Sequence, residues 1–353
     1  MDAHEIRRIR LSGQFITSPC GGGPEAVVER MGAVQAQEYR ASKWAVGLRA
    51  SNCTESDVEN AFNSGKILRT HILRPTWHFV SAKDIRWITE LTAPQIKRVI
   101  SGYESMRGMD ESTFSAAFRV LRDELSSGPQ ARDVLSKKLE SAGISVKDGR
   151  MPMIMMRAEL ECMVCSGPRM GKQFSYSLTE QAAPSAESRG REDSIAELAR
   201  RYFAARGPAS VQDFAYWSHL PMKDAAAGAE CLGGEFGRVR HGGREYMFHD
   251  GNADACQENA TFLMPDYDEY LLSYRDRSSA VSHPCTEGKI SVNAENDRKL
   301  LISDGIIAGK WEESKAGISL RIDCEADDAV LERIGKAKAR YLGFILRPPR
   351  PRT

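Results

Sequence analysis

The sequence predicts an α+β protein: helix-and-ribbon modules in tandem, followed by a small β-sheet or barrel. Three observations carry this. Residues 1 to about 95 read as mostly helical and run into a β-rich stretch, residues 67–80, interrupted by Pro75. Helix followed by a two-stranded wing is the winged-helix order, a variant of the helix-turn-helix. A Gly-Pro step followed by a short helix occurs at Gly128-Pro129 and at Gly207-Pro208, each followed by a hairpin-like stretch, residues 167–178 and 236–249. From Thr261 the pattern changes to short strands with glycine turns, which argue a small sheet or barrel. At 353 residues, a prior of about 150 residues per domain favours two or more domains.

Taken in order, residues 4–11 open the chain as a helix. After Gly21 to Gly23, Pro24 starts a second helix with Val27, Val28, Met31 and Val34 at helical spacing, and Gln35-Ala-Gln37 stands at its end. Thr54, Ser56, Asp57 and Glu59 are N-terminal signals for a periodic run over 56–62. The ribbon with its proline follows, placing an edge position at Pro75. Residues 126–140 read as a turn and an amphipathic helix, and a further helix runs through Arg157 to Met163. After the loop 180–191 come an amphipathic helix over 195–206, a turn and capped helix over 207–217, and a hairpin around Gly242-Gly243. The final part reads as strands over 262–274, 299–303, 305–311 and 318–322, closed by a helix over 327–339.

Composition is that of an ordinary globular chain: 41% hydrophobic, 27% charged, with 49 Lys+Arg against 48 Asp+Glu. The balance is local rather than uniform. Residues 65–100 hold Lys66, Arg69, Arg74, Lys83, Arg86, Lys97 and Arg98 against Asp84 and Glu90. From Glu332 onward, Arg333, Lys336, Lys338, Arg340, Arg347, Arg350 and Arg352 face that one carboxylate. Residues 251–270 hold Asp254, Glu258, Asp266, Asp268 and Glu269 with no Lys or Arg. Two basic windows in a neutral chain fit a polyanion groove, or else two solvated faces. Cys20, Cys53, Cys162, Cys165, Cys231, Cys256, Cys285 and Cys324 are scattered. Cys162-Met-Val-Cys165 has metal-ligand spacing but no second pair and a Met-rich neighbourhood, so these are read as core thiols and no metal is expected. With no leader pattern and no 18-residue apolar run, the expected location is the cytoplasm, with reduced cysteines and no membrane contact.

Chemistry centres on Gln35 and Gln37. An amide does not titrate near neutral pH and cannot act as a general base. It can hold a water: each side chain offers a carbonyl acceptor and two N–H donors, so two amides converging on one point fix a water's position and lone-pair direction. That suits a leaving group already activated. Residues two apart diverge on a helix, so the pair is expected at a helix end or distortion. Solvated surface amides are the plain alternative.

Together, Gln35-Ala-Gln37, Arg74-Pro-Thr-Trp-His78, Arg206-Gly-Pro-Ala-Ser-Val-Gln-Asp-Phe-Ala-Tyr-Trp217, the stretch from Pro265-Asp-Tyr-Asp-Glu to Arg275-Asp-Arg277, and Asp304-Gly-Ile-Ile-Ala-Gly-Lys-Trp311 resemble the AlkZ-like DNA glycosylases, the helix-turn-helix 42 family. The resemblance spans nearly the whole chain. It implies three tandem winged helices, 1–95, 96–185 and 186–258, followed by a C-terminal β-barrel, 259–353, around a concave DNA channel. It further implies N-glycosidic bond hydrolysis by a Gln-aliphatic-Gln motif, here Gln35 and Gln37 with the smaller Ala36 between them. This all-amide branch is known for excising bulky N7-alkylpurines and interstrand crosslinks made by DNA-alkylating natural products, so self-resistance to such a product is one expected role.

N7 alkylation makes a purine cationic and weakens its glycosidic bond without a strong acid. The protein then needs only to orient water at C1′. The expectation is a monofunctional glycosylase without lyase activity, acting poorly on neutral bases and needing no cofactor. Its partner is double-stranded DNA containing alkylated purines, and the resemblance favours a bacterial, nucleoid-associated monomer. Arg40, Lys43, Arg69 and Arg74 are phosphate-contact candidates or else ordinary surface charge. Trp77 stacks on a base or adduct, or packs in the core. His71 and His78 bond phosphate or a flipped nucleotide, or are structural. Asp266, Asp268 and Glu269 are expected to pair with Arg275 and Arg277 rather than bind metal. The competing reading is a winged-helix transcription regulator without catalysis.

Overall fold

A computed structural model describes residues 1–254, 260–281, 298–315, 317–323 and 326–346. Cys256, Cys285, Cys324, Glu258, Arg347, Arg350 and Arg352 lie outside the described residues. The chain forms two compact units, one made of Met1–Glu59, Ile195–Trp217 and Pro221–Thr353, the other of Asn60–Ser194 and Ser218–Leu220.

In the first unit the chain opens with a helix, Ala3–Gly13, whose Asp2 cap accepts the Glu5 N–H. The next, Gly23–Met31, has Pro24 in its first turn and buries Val27, Val28 and Met31. It ends at Met31 rather than Val34 because Gly32 adopts φ +73°, a conformation that ends the helix and that glycine takes without a Cβ penalty. Val34–Gln35 is extended, and Tyr39–Arg49 is helical again. The Gln pair therefore occupies the break between two helices, as its spacing requires.

Arg191–Arg206 and Val211–Ser218 bring Tyr202, Phe203, Phe214 and Trp217 into one aromatic cluster, with ring centroids 5.1 to 5.6 Å apart for neighbouring pairs. Gly207 follows with no room for a side chain: a Cβ there would lie 2.5 Å from Phe248 Cα and 2.6 Å from the Phe203 carbonyl. Strands Phe236–His241 and Arg244–His249 form the expected hairpin, turning at Gly242 and Gly243, both at positive φ.

The C-terminal sheet runs Gly317–Ile322, Ile306–Ser314, Leu300–Ser303, Thr261–Leu263, all antiparallel. Among the described residues it has two ends and does not close, so an open sheet stands where a barrel was expected. The strand expected over 262–274 stops at Leu263. Pro265 interrupts the ladder, and Asp268 caps a short helix, Glu269–Leu272, by accepting the Tyr270 N–H. The helix Asp328–Leu346 packs Tyr341 and Phe344 against Trp44, each at 5.1 Å between ring centroids.

The second unit holds the ribbon of Ile67–His71 and Trp77–Ser81, with Pro75 in the connection rather than in a strand. Ile67–His71 continues through Arg69 opposite Ser166 into Val164–Met170, which pairs with Gln173–Leu178, and that with Gln130–Ala131. The ribbon and the second hairpin thus share one sheet. Helices Glu111–Ser126, Arg132–Ser141 and Arg150–Leu160 cover it, burying Phe114, Leu121, Leu135, Ile154 and Met155, and Ile85–Met106 packs on Arg150–Leu160 through Ile96, Ile100 and Met153. The helix expected to reach Met163 stops at Leu160, where Cys162 turns to φ +54° before the strand at Val164. Cys165 is fully buried and Cys162 half-buried; burial pushes both thiols up, as for packed rather than reactive cysteines. Among the described residues no helix is long and apolar enough to cross a membrane.

Candidate active site

The segment from Gly32 to Glu38 is short, and its backbone is held from beneath by buried charge. Gln35 is buried and Gln37 exposed. The Gln37 N–H donates to Gln35 Oε1 at 3.1 Å, so the first amide's carbonyl is turned toward the second residue. The Gln35 N–H donates at 2.9 Å to Glu269 Oε1. The other Glu269 oxygen accepts from Arg206, from Trp217 Nε1 at 3.0 Å and from Ser273 Oγ at 2.7 Å. Arg206 in turn donates to the carbonyls of Met31 at 2.7 Å and Ala33 at 2.9 Å. It thereby satisfies an otherwise orphaned carbonyl at the helix end and fixes the residues entering the motif.

A second buried pair lies beside the first in sequence. Asp268 makes a two-pronged contact with Arg49, 2.8 and 2.7 Å, and Arg49 also donates to Gln14 Oε1, whose amide nitrogen reaches Tyr274. Burial works against the Arg49 charge, and Asp268 outweighs it, raising its pKa. The expectation that these carboxylates pair with Arg275 and Arg277 is corrected: their partners are Arg49 and Arg206. Arg277 instead donates to the Leu271 carbonyl and the Tyr216 hydroxyl, and the Arg275 N–H to Asp213. Asp266 accepts the Lys299 N–H. Among the described residues no three His, Cys, Asp or Glu side chains group as metal ligands.

Of the basic candidates in this unit, Arg40 is exposed and meets Glu313 at 2.8 Å. Lys43, with its side chain 11% exposed, lies between Glu55 and Glu59, 2.8 and 2.9 Å away.

In the other unit, strand alternation sorts the remaining candidates. Arg69 and His71 share one face of Ile67–His71, and Trp77 lies directly opposite His71. Arg69 places its guanidinium 4.3 Å from the Trp77 ring centroid and 4.7 Å from that of Phe174. His71 is buried against Glu159, which also receives the Trp77 indole N–H at 3.4 Å. Trp77 itself is half-buried. His78, opposite Thr70, is fully buried and bonds the Thr76 carbonyl through Nδ1 at 2.9 Å. Arg74 is in the turn between the strands, half-buried.

Arg206, Arg49 and Glu159 are not among the candidates read from the sequence, and Asp268 and Glu269 are read there only as partners of Arg275 and Arg277 rather than as metal ligands. Arg206, Asp268 and Glu269 stand inside the quoted motifs, which was the signal available; burial, which gives them their role, has no one-residue signature.

A sequence search of curated proteins finds no match. Among solved structures, the Streptomyces sahachiroi DNA glycosylase AlkZ matches with a TM-score of 0.82 at 18% sequence identity, over 99% of this chain and 98% of that chain. The fold is thus shared. The family model described as "DNA glycosylase AlkZ-like" matches residues 28–344, nearly the whole chain and every motif quoted above. The chain belongs to the AlkZ-like DNA glycosylase family.

Proposed function

We propose that this DNA glycosylase is monofunctional and hydrolyses the N-glycosidic bond of bulky or crosslinked N7-alkylpurines in double-stranded DNA, with Gln35 and Gln37 positioning the water. The observation that carries the reading is the Gln37 N–H on Gln35 Oε1. A carbonyl has two lone pairs, and this bond uses one. The other lone pair and the exposed Gln37 carbonyl are then the two acceptors for a water's protons, which leaves a water lone pair for C1′. No general base is in this set: a cationic purine departs neutral and so needs no general acid, and the oxocarbenium-like sugar it leaves accepts neutral water, whose surplus proton passes to solvent.

In this reading Ala36 keeps the two amides close to the helix break, and Arg40 is the exposed cation nearest in sequence to the pair. The Ile67–Ser81 ribbon supports DNA binding as part of one of three winged-helix modules, through Arg69, Arg74 and Trp77, while the buried His71 and His78 take the structural role. The enzyme acts on the bacterial chromosome as a monomer, in repair or in resistance to a DNA-alkylating natural product.

The test is base release from a duplex carrying one N7-alkylguanine, comparing the parent with the Gln35→Ala, Gln37→Ala double variant. Abasic product from the parent alone supports the reading. Release that survives the double substitution sinks the role of the pair, and sequence-selective binding with no release from any alkylpurine duplex revives the regulator.

A further inference from the structure

In the unit Asn60–Ser194 with Ser218–Leu220, an open groove of about 620 Å³ is walled by Trp77, Phe174 and Tyr176 and by Arg69, Arg132 and Lys172. The rings are clamped. Arg69 is wedged between Trp77 and Phe174, Arg169 covers Phe174 at 4.1 Å, and Trp77 is further tied to Glu159. Arg132 and Lys172 are different: both are exposed, and neither meets a carboxylate among the described residues. Asp133 is the acidic lining residue, against three cations.

Fixed aromatic rings beside unpaired cations are the chemistry of an unpaired nucleic-acid strand, whose bases offer π-faces and whose backbone offers phosphates. A paired duplex hides its bases and would leave the aromatic wall unused. An acidic peptide would use the cations alone. We propose that this groove binds a short unpaired segment of DNA, its base against the Trp77 ring and its phosphates on Arg132 and Lys172. The inference rests on the DNA-glycosylase reading for its partner, but not on the Gln pair.

The molecule carries its own reporter. Of five tryptophans, Trp44, Trp87, Trp217 and Trp311 are 3%, 2%, 0% and 4% exposed, so quenching by a stacked base reads out Trp77. The full chain is titrated with a short oligothymidylate, with a blunt duplex and with inorganic polyphosphate, following tryptophan fluorescence and, for the labelled nucleic acids, anisotropy. Oligothymidylate is expected to quench, and Trp77→Phe to abolish the quench. Arg132→Ala with Lys172→Ala, both at exposed positions, is expected to flatten the salt dependence of oligothymidylate binding by about 1.4 in log K per log salt, two contacts at roughly 0.7 each. Binding without quench in the parent, an unchanged salt slope in the double variant, or polyphosphate binding as tightly as oligothymidylate overturns the proposal. Base release on the same preparations separates the two readings: release without quench overturns the groove alone, whereas quench without release from any alkylpurine duplex overturns the glycosylase assignment and leaves the groove.

Discussion

Arg206 and Glu269 meet at 3.0 Å with both side chains wholly buried, and between them they hold the backbone on either side of Val34, at the entry to Gln35. A buried ion pair costs more to desolvate than its Coulomb attraction alone returns, unless further hydrogen bonds satisfy the remaining donors and acceptors. Here they do: Met31, Ala33 and Ser273 accept from Arg206, while Gln35, Trp217 and Ser273 donate to Glu269. The motif is thus set on a rigid charged anchor, although it lies in a stretch with little regular structure.

Glu269→Gln tests that anchor. The amide keeps the carboxylate's shape and can still accept from the Gln35 N–H, but it leaves Arg206 as an unneutralised buried charge. Breaking one side of such a pair costs about 3–5 kcal/mol, read in urea unfolding. Adding Arg206→Met should not restore the parent's stability, since the carbonyls of Met31 and Ala33 lose their donor; recovery would show the anchor to be dispensable. Base release, measured below the unfolding transition, is expected to fall with the single variant.

Two amides also leave a kinetic signature. Since neither titrates, they add no limb to the pH–rate profile of alkylpurine release. Gln37→Glu puts a carboxylate at an exposed position, where a pKa of about 4.3 is expected. The variant's profile should rise with pH through that value and then level off. A parent profile with that same limb would point to a carboxylate base and against the amide pair.

Acid stability should trace to Glu197. Burial pushes its carboxyl up, but hydrogen bonds from Arg200 and Arg201 outweigh it and hold the pKa at about 2. A carboxylate with a folded pKa below its unfolded one adds stability above the unfolded value and loses it as the pH drops through the folded one. The parent should therefore lose part of its stability between about pH 5 and pH 2. Glu197→Gln should be less stable than the parent at pH 7, with the gap closing toward pH 2 in thermal melts. A constant gap would show that the carboxylate's ionisation is not what matters.

Much of this architecture was legible in the chain. Helix and hairpin periodicity located the Gly242-Gly243 turn, the Trp77 ribbon and the break that holds the Gln pair, because each rests on local backbone preference. What sequence periodicity missed depends on distant partners. Residues 264–274 look strand-like by composition, but Asp268 and Glu269 are drawn inward to Arg49 and Arg206, and a capped turn of helix forms instead. Similarly, His71 and His78 are seven residues apart on paired strands, but one faces a buried glutamate and the other the opposite side of the ribbon, a difference set by register.

Arg40 and Lys43 lie one helical turn apart and looked equivalent as phosphate contacts, but their surroundings set them apart. Lys43 is mostly covered and held by Glu55 and Glu59, with the Tyr39 hydroxyl also donating to Glu59. To reach a phosphate it would have to leave two carboxylates, exchanging one anion for another at little gain. Arg40 is exposed, with its side chain 66% accessible, and among the described residues it pairs with Glu313, which also accepts from Tyr341. An exposed pair of this kind is worth about 1 kcal/mol or less and is weakened by salt, so the guanidinium is available to a phosphate at small cost. Arg40→Ala is therefore expected to weaken duplex binding and to lower the salt slope by about 0.9, one phosphate contact. Lys43→Ala should leave that slope unchanged and lower stability instead, because Glu55 and Glu59 lose the cation between them. Anisotropy titrations over a range of salt, with thermal melts on the same samples, separate the two effects. If Lys43→Ala flattens the slope and Arg40→Ala does not, the phosphate contact belongs to the half-buried lysine, and its carboxylates must open when DNA binds.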